Sequence, residues 1–178
     1  MGRRSTGKLV TTGRSIPIRG PITKMVSSSC IARLLVMAAE DQQSPLLAYI
    51  NSPGGLASEA LRIISTMDGI RSSVATFCQG RLGGAATVIA AHGLRGFRVA
   101  NPAAMFSFQF DPEPRRHESL ESYFRLLTEI IAGDTRQNPD TVRNWLQNGV
   151  EFTAQAAQAS GLVDQISAEP LIPGQTKP

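Results

Sequence analysis

The sequence predicts an α/β fold built on a largely parallel sheet, and three observations carry that prediction. Residues 46–50 and 74–78 are near-continuous apolar runs, the mark of strands covered on both faces. Each run enters a glycine-rich turn, Ser52-Pro53-Gly54-Gly55 and Gly80-Arg81-Leu82-Gly83-Gly84. Each turn then gives way to a small-residue or amphipathic stretch with helical spacing, so strand and helix alternate along the chain.

Residues 14–19 alternate in polarity and read as a short strand, with Pro17 suited to a sheet edge. Ser27 to Ser29 offer an N-cap for a helix running to about Asp41, with Ile31, Leu34, Leu35 and Ala38 at helical spacing. The strand over 46–50 follows. In the turn after it, Pro53 pre-sets φ for the second position and Gly54 takes the positive φ of the third. Gly55 is read as opening the next helix with an unpaired N–H, and Ala57, Ala60, Leu61, Ile64 and Met67 line one face of that helix.

The strand over 74–78 leads through its glycines into a helix over 85–91. The pair of helix starts forms a place where main-chain donors could hold a negative oxygen. Residues 97–99 and 105–110 read as two further strands. The longest helix carries the stripe Leu120, Tyr123, Phe124, Leu127, Ile130 and Ile131, and the next carries Val142, Trp145 and Leu146. A short strand at Phe152, a helix over 154–160 closed by Gly161, and a strand over 162–166 complete the body. The proline- and glycine-rich residues 167–178 read as a loose tail.

Composition bounds the function. A chain of 178 residues, 42% hydrophobic and 18% charged, makes one domain that buries surface in an assembly. The net charge of +4 is concentrated early: Arg3, Arg4, Lys8, Arg14, Arg19 and Lys24 precede the first acid, Glu40. Residues 1–13 are therefore a basic arm, read as flexible and solvated rather than as a nucleic-acid contact. Cys30 and Cys78 suit neither a disulfide framework nor a metal, and read as small core residues. There is no membrane-length apolar run and no signal-peptide core, so the expectation is a cytoplasmic protein without membrane, metal or cofactor.

The stretch Ala48-Tyr49-Ile50-Asn51-Ser52-Pro53-Gly54-Gly55 resembles the Tyr-Ile-Asn-Ser-Pro-Gly-Gly segment of the ClpP family of self-compartmentalising serine peptidases. The likeness runs without a gap to Pro102 and returns at 154–164, where Gly161-Leu162-Val163-Asp164 matches the family's closing motif. The resemblance implies the crotonase-like spiral of ββα units over 14–166, with a protruding handle helix at about 111–136. It also implies a ring with like or active ClpP-like subunits and a Clp AAA+ ATPase as candidate partner.

The family's Ser-His-Asp triad does not carry over. Placed without gaps, the serine position is Gly84, the histidine position Gln109 and the aspartate position Gly149. Glycine has no nucleophile, and glutamine cannot exchange a proton near neutral pH. The resemblance sets the oxyanion hole on the N–H groups of Gly55 and Ala85, which need no side chain. Gly84 would also tolerate the strained backbone of a nucleophile elbow. Close packing of helix on strand explains Gly80, Gly83 and Gly84 equally well. In addition, Asp111-Pro112-Glu113-Pro114-Arg115-Arg116 replaces the family's glycine-rich, substrate-receiving strand, and its prolines remove main-chain donors.

A relocated triad would need a base. His92 reads as a core or helix-end histidine and His117 as a solvated one. Ser52 reads as a turn brace, and Ser107, two residues from Gln109 on a strand, has no histidine beside it in sequence. Three functions follow: a non-catalytic subunit that builds or regulates a Clp-type ring, an active Clp-type endopeptidase with a relocated site, or a crotonase-like acyl-thioester binder or enzyme.

Overall fold

The computed structural model describes residues 13–110 and 117–174, with the side chains of the second stretch described from 122 onward. The basic arm before Gly13, the segment 111–116 and the side chains of His117 and Leu120 lie outside the described residues.

The elements follow in the order β1 (Ser15–Arg19), α1 (Lys24–Glu40), β2 (Leu46–Asn51), α2 (Ala57–Gly69), β3 (Val74–Cys78), β4 (Arg81–Leu82) and α3 (Gly84–Ala91). They continue with β5 (Arg98–Ala100), β6 (Met105–Ser107), α4 (His117–Thr135), α5 (Pro139–Asn148), β7 (Glu151–Thr153), α6 (Ala154–Ala159) and β8 (Gln165–Ile166). A five-stranded sheet has the order β1-β2-β3-β5-β8, and every pair in it is parallel. β1 is an edge strand, where Pro17 costs no ladder bond on a missing neighbour. A smaller sheet, β4-β6-β7, pairs β4 with β6 in parallel and β6 with β7 antiparallel.

The apolar runs explain the sheet. In β2, Leu46, Ala48 and Ile50 face the main core, while Leu47 and Tyr49 face the other side with Ala75, Phe77 and Val99. Both faces of β3 are covered, so its five residues are all buried. Within the stretch expected to be loose, Leu171 and Ile172 pack onto this outer face, and Ile172 is buried there. Cys30 and Cys78 sit in the core; burial outweighs the nearby Arg33 charge and pushes the Cys30 thiol up to about 11, so neither is a reactive thiolate at neutral pH.

Several boundaries differ from the sequence expectation. The N-cap of α1 is Thr23, whose hydroxyl accepts from the Val26 N–H. Ser27, expected as a cap, is instead buried in the first turn and bonds the Glu59 carboxylate, which Arg62 also holds at 2.6 Å. The strand expected over 105–110 ends at Ser107, because the chain leaves the ladder at Gln109 to close over α3. The strand expected over 162–166 is only β8. Leu162 and Val163 still donate to the Ala157 carbonyl, closing α6 behind Gly161, whose φ is 79°.

Candidate functional site

The two glycine turns meet. Gly54 has φ 98°, as the turn chemistry requires, and Gly83 donates its N–H to the Ser52 carbonyl at 3.2 Å. A Cβ on Gly83 would stand 1.8 Å from the Pro53 oxygen, and one on Gly54 would stand 3.0 Å from the Gly83 carbonyl carbon. The main chains are therefore in contact with no room for a methyl group between them. The buried Ser52 hydroxyl donates to the Gly20 carbonyl at 2.7 Å and accepts from the Gly54 N–H at 3.2 Å. It braces the turn, with its one proton committed to the Gly20 carbonyl.

Gly55 does not open a helix. Its φ is 140°, it sits in a parallel bridge with Ile22, and α2 starts two residues later. A Cβ there would meet the Ile22 oxygen at 2.6 Å, which explains the glycine by close approach as well as by φ. Among the described residues neither the Gly55 N–H nor the Ala85 N–H has a hydrogen-bond acceptor. Both amides follow the touching residues of the two turns, so they belong to one corner of the molecule.

The three positions that the resemblance sets at the triad come together at that corner. Gly84 donates its N–H to the Gln109 carbonyl at 2.9 Å. Gly149 ends α5 in the left-handed region at φ 59°, and a Cβ on it would lie 3.7 Å from the Gln109 Cα. Gly84 is not a strained elbow: it is the first residue of α3 with ordinary φ, and of the two readings offered for it, close packing is the one its surroundings match. What requires glycine there is space. A Cβ on Gly84 would lie 2.7 Å from both the Gln109 oxygen and the Phe110 ring. Phe110 in turn packs edge-on against Phe124 of α4, with ring centroids 6.0 Å apart. Beneath it Phe108, Trp145 and Phe152 form a second aromatic group that holds β6, α5 and β7 together.

The remaining candidates are engaged elsewhere. Ser107 accepts the Gln109 N–H at 3.0 Å, and its carbonyl accepts the Thr87 hydroxyl. His92 caps α3 at its C-terminal end, between Asp134 and Asp68. Asp164, from the closing motif, takes Arg98 Nη2 at 2.6 Å and Nε at 2.9 Å together with the N–H of Gly96 at 2.7 Å. Burial alone would raise its pKa, but the Arg98 and main-chain hydrogen bonds outweigh that and hold it below the usual carboxylate value.

The sequence model of the Clp protease family matches residues 4–170. This chain belongs to the Clp protease family. The fold agrees: the crystal structure of the ClpP protease catalytic domain from Plasmodium falciparum superposes with a TM-score of 0.80. That match has 25% sequence identity and covers 92% of this chain and 90% of the other.

Sequence reasoning missed the obstruction at Gly84. The bulky residue is 26 positions away in the chain and follows a strand whose end the alternating pattern does not mark. Phe110 beside Gln109, where the family resemblance sets a histidine, was the available signal.

Proposed function

We propose that this chain is a non-catalytic Clp-type subunit that builds or regulates a peptidase ring alongside active subunits. The observation that carries the reading is the state of position 84. There is no side chain to attack, and the volume one would need is taken by the Gln109 carbonyl and the Phe110 ring. A Ser-His-Asp mechanism needs a hydroxyl in contact with a base that is itself oriented by a carboxylate. The one imidazole among the described side chains, His92, has both nitrogens on aspartates instead.

The amides of Gly55 and Ala85, which have no acceptor among the described residues, support a second property of the same corner: donors for a carbonyl or carboxylate without a means of cleaving it. These amides are also what an acyl-thioester binder would use, and acyl-CoA titration calorimetry separates that reading. The Clp AAA+ ATPase and the cytoplasm remain the expected partner and setting.

The test uses the full chain, alone and co-expressed with active Clp-type subunits. The expected result is no fluorophosphonate labelling of this chain, no peptide hydrolysis by it alone, and mixed rings in native mass spectra. Labelling of the chain, or hydrolysis by it alone that is lost in Ser107→Ala or Ser52→Ala, overturns the proposal.

A further inference from the structure

His92 takes no part in the glycine corner, yet both of its ring nitrogens are engaged by carboxylates. It ends α3 with its ring 15% exposed, Nδ1 2.9 Å from the Asp134 carboxylate on α4 and Nε2 3.0 Å from the Asp68 carboxylate on α2. An ionised carboxylate only accepts hydrogen bonds, and a neutral imidazole donates from one nitrogen while the other carries a lone pair. Both contacts are hydrogen bonds at once only when both nitrogens bear protons.

We propose that His92 is a proton-controlled clamp: as the imidazolium it ties α2 and α4 to the end of α3, and on losing its proton it releases α2. The charges around the ring agree with this. From α2 it is faced by Asp68, and from α4 by Asp134. The nearby guanidinium groups are turned to main chain: Arg95, after α3, donates to the Gly133 and Asp134 carbonyls, and Arg98 of β5 donates to those of Ala91 and Asp134. Arg98 is in addition neutralised by Asp164. Two carboxylates thus outweigh the cations at the ring itself. Burial alone would depress the His92 pKa, but hydrogen bonds and charge from Asp134 and then Asp68 raise it above its ordinary value.

The release is directional because the partners differ in exposure. Asp134 is 23% exposed and keeps the remaining N–H, whereas Asp68, at 66%, is rehydrated at little cost. For a histidine raised in the fold, the stabilisation is complete below the unfolded-state pKa and is lost as pH rises through the folded value. The clamp therefore opens toward alkaline pH.

The test follows the two histidines of the full chain by NMR of selectively labelled imidazole carbons, with His117→Asn assigning the signals. Hydrogen–deuterium exchange of residues 62–70 is measured over the same pH series. His92 is expected to titrate above the ordinary 6.5, and Asp68→Asn to lower that midpoint by about half a unit or more. Protection of 62–70 in the wild type should fall in step with the titration, and in Asp68→Asn the step should shift with it. A midpoint at or below 6.5, a midpoint that Asp68→Asn leaves in place, or α2 exchange indifferent to the titration each overturns the clamp. Asp68 is exposed, so its variant reports even if substitutions of His92 itself fail to fold.

Discussion

At the scale of single residues, the glycines of this protein do different jobs, and the distinction predicts what substitutions will do. Gly149 is glycine because of φ and Gly54 because of both φ and the close Gly83 backbone, whereas Gly83 and Gly84 are glycine because other atoms occupy the side-chain volume. For Gly84→Ser, the helix-propensity gain over glycine is below about 1 kcal/mol. The clash with the Gln109 carbonyl and Phe110 ring belongs to the overpacking class, about 1–3 kcal/mol. The net expectation is destabilisation by about 1–2 kcal/mol in chemical denaturation, with no fluorophosphonate labelling gained. The double variant with Phe110→Ala should cost less than the sum of the two single substitutions, because the two share one volume. If Gly84→Ser is neutral or stabilising, the ring does not fill the site. The identities at positions 84, 109 and 149 were legible in the sequence because each is a missing functional group. The filling of position 84 was not, because it depends on where a chain segment with no periodic pattern comes to rest.

At the scale of elements, the sequence was most informative where a strand or helix is long and buried, and least where an element is two or three residues long. The parallel sheet could be read because β2 and β3 are apolar on both faces, and β1 could be placed at an edge by Pro17. β4 could not, since Arg81-Leu82 pairs only through the fold-wide approach of β6. β8 was read as the end of a longer strand over 162–166, and the polar anchor just before it, Asp164, is something periodicity does not report. Asp164 holds Arg98, which bonds the ends of α3 and α4, so one ion pair joins β5, β8 and two helices. With the Arg98 and Asp164 side chains only 4% and 17% exposed, removing one partner strands the other. Asp164→Ala is expected to cost about 3 kcal/mol at pH 7, read from urea denaturation. The pKa of Asp164 is depressed in the fold, so this stabilisation is present above the unfolded-state carboxylate value and is lost as pH falls through the folded one. The difference between wild type and variant should therefore shrink in acid. A gap that stays constant down to the acid limit would assign the cost to packing instead.

At the scale of the whole molecule, family membership and the blocked position 84 make a joint prediction about assembly. On the proposed function, a subunit that has the Clp protease fold but lacks the attacking group would contribute wall and interface to a ring, not hydrolysis. Rings assembled from an active Clp-type subunit and rising amounts of this chain should thus keep their subunit number while the count of sites falls. Where sites act independently, labelled active serines and peptidase rate per ring decline together in proportion to the copies incorporated. Native mass spectrometry supplies the composition of each ring, a fluorophosphonate probe supplies the number of competent sites, and peptide turnover supplies the rate. Proportional decline, with every label on the active subunit, is the expected outcome. A rate that holds steady as this chain replaces active subunits would mean that it cleaves peptide within the mixed ring by a route the isolated subunit lacks. That result would return Ser107 and His92 to consideration as parts of a site completed only in the assembly. Failure of the two chains to share a ring under any ratio would remove the structural role and leave the amides of Gly55 and Ala85, free of acceptors among the described residues, as the remaining basis for function.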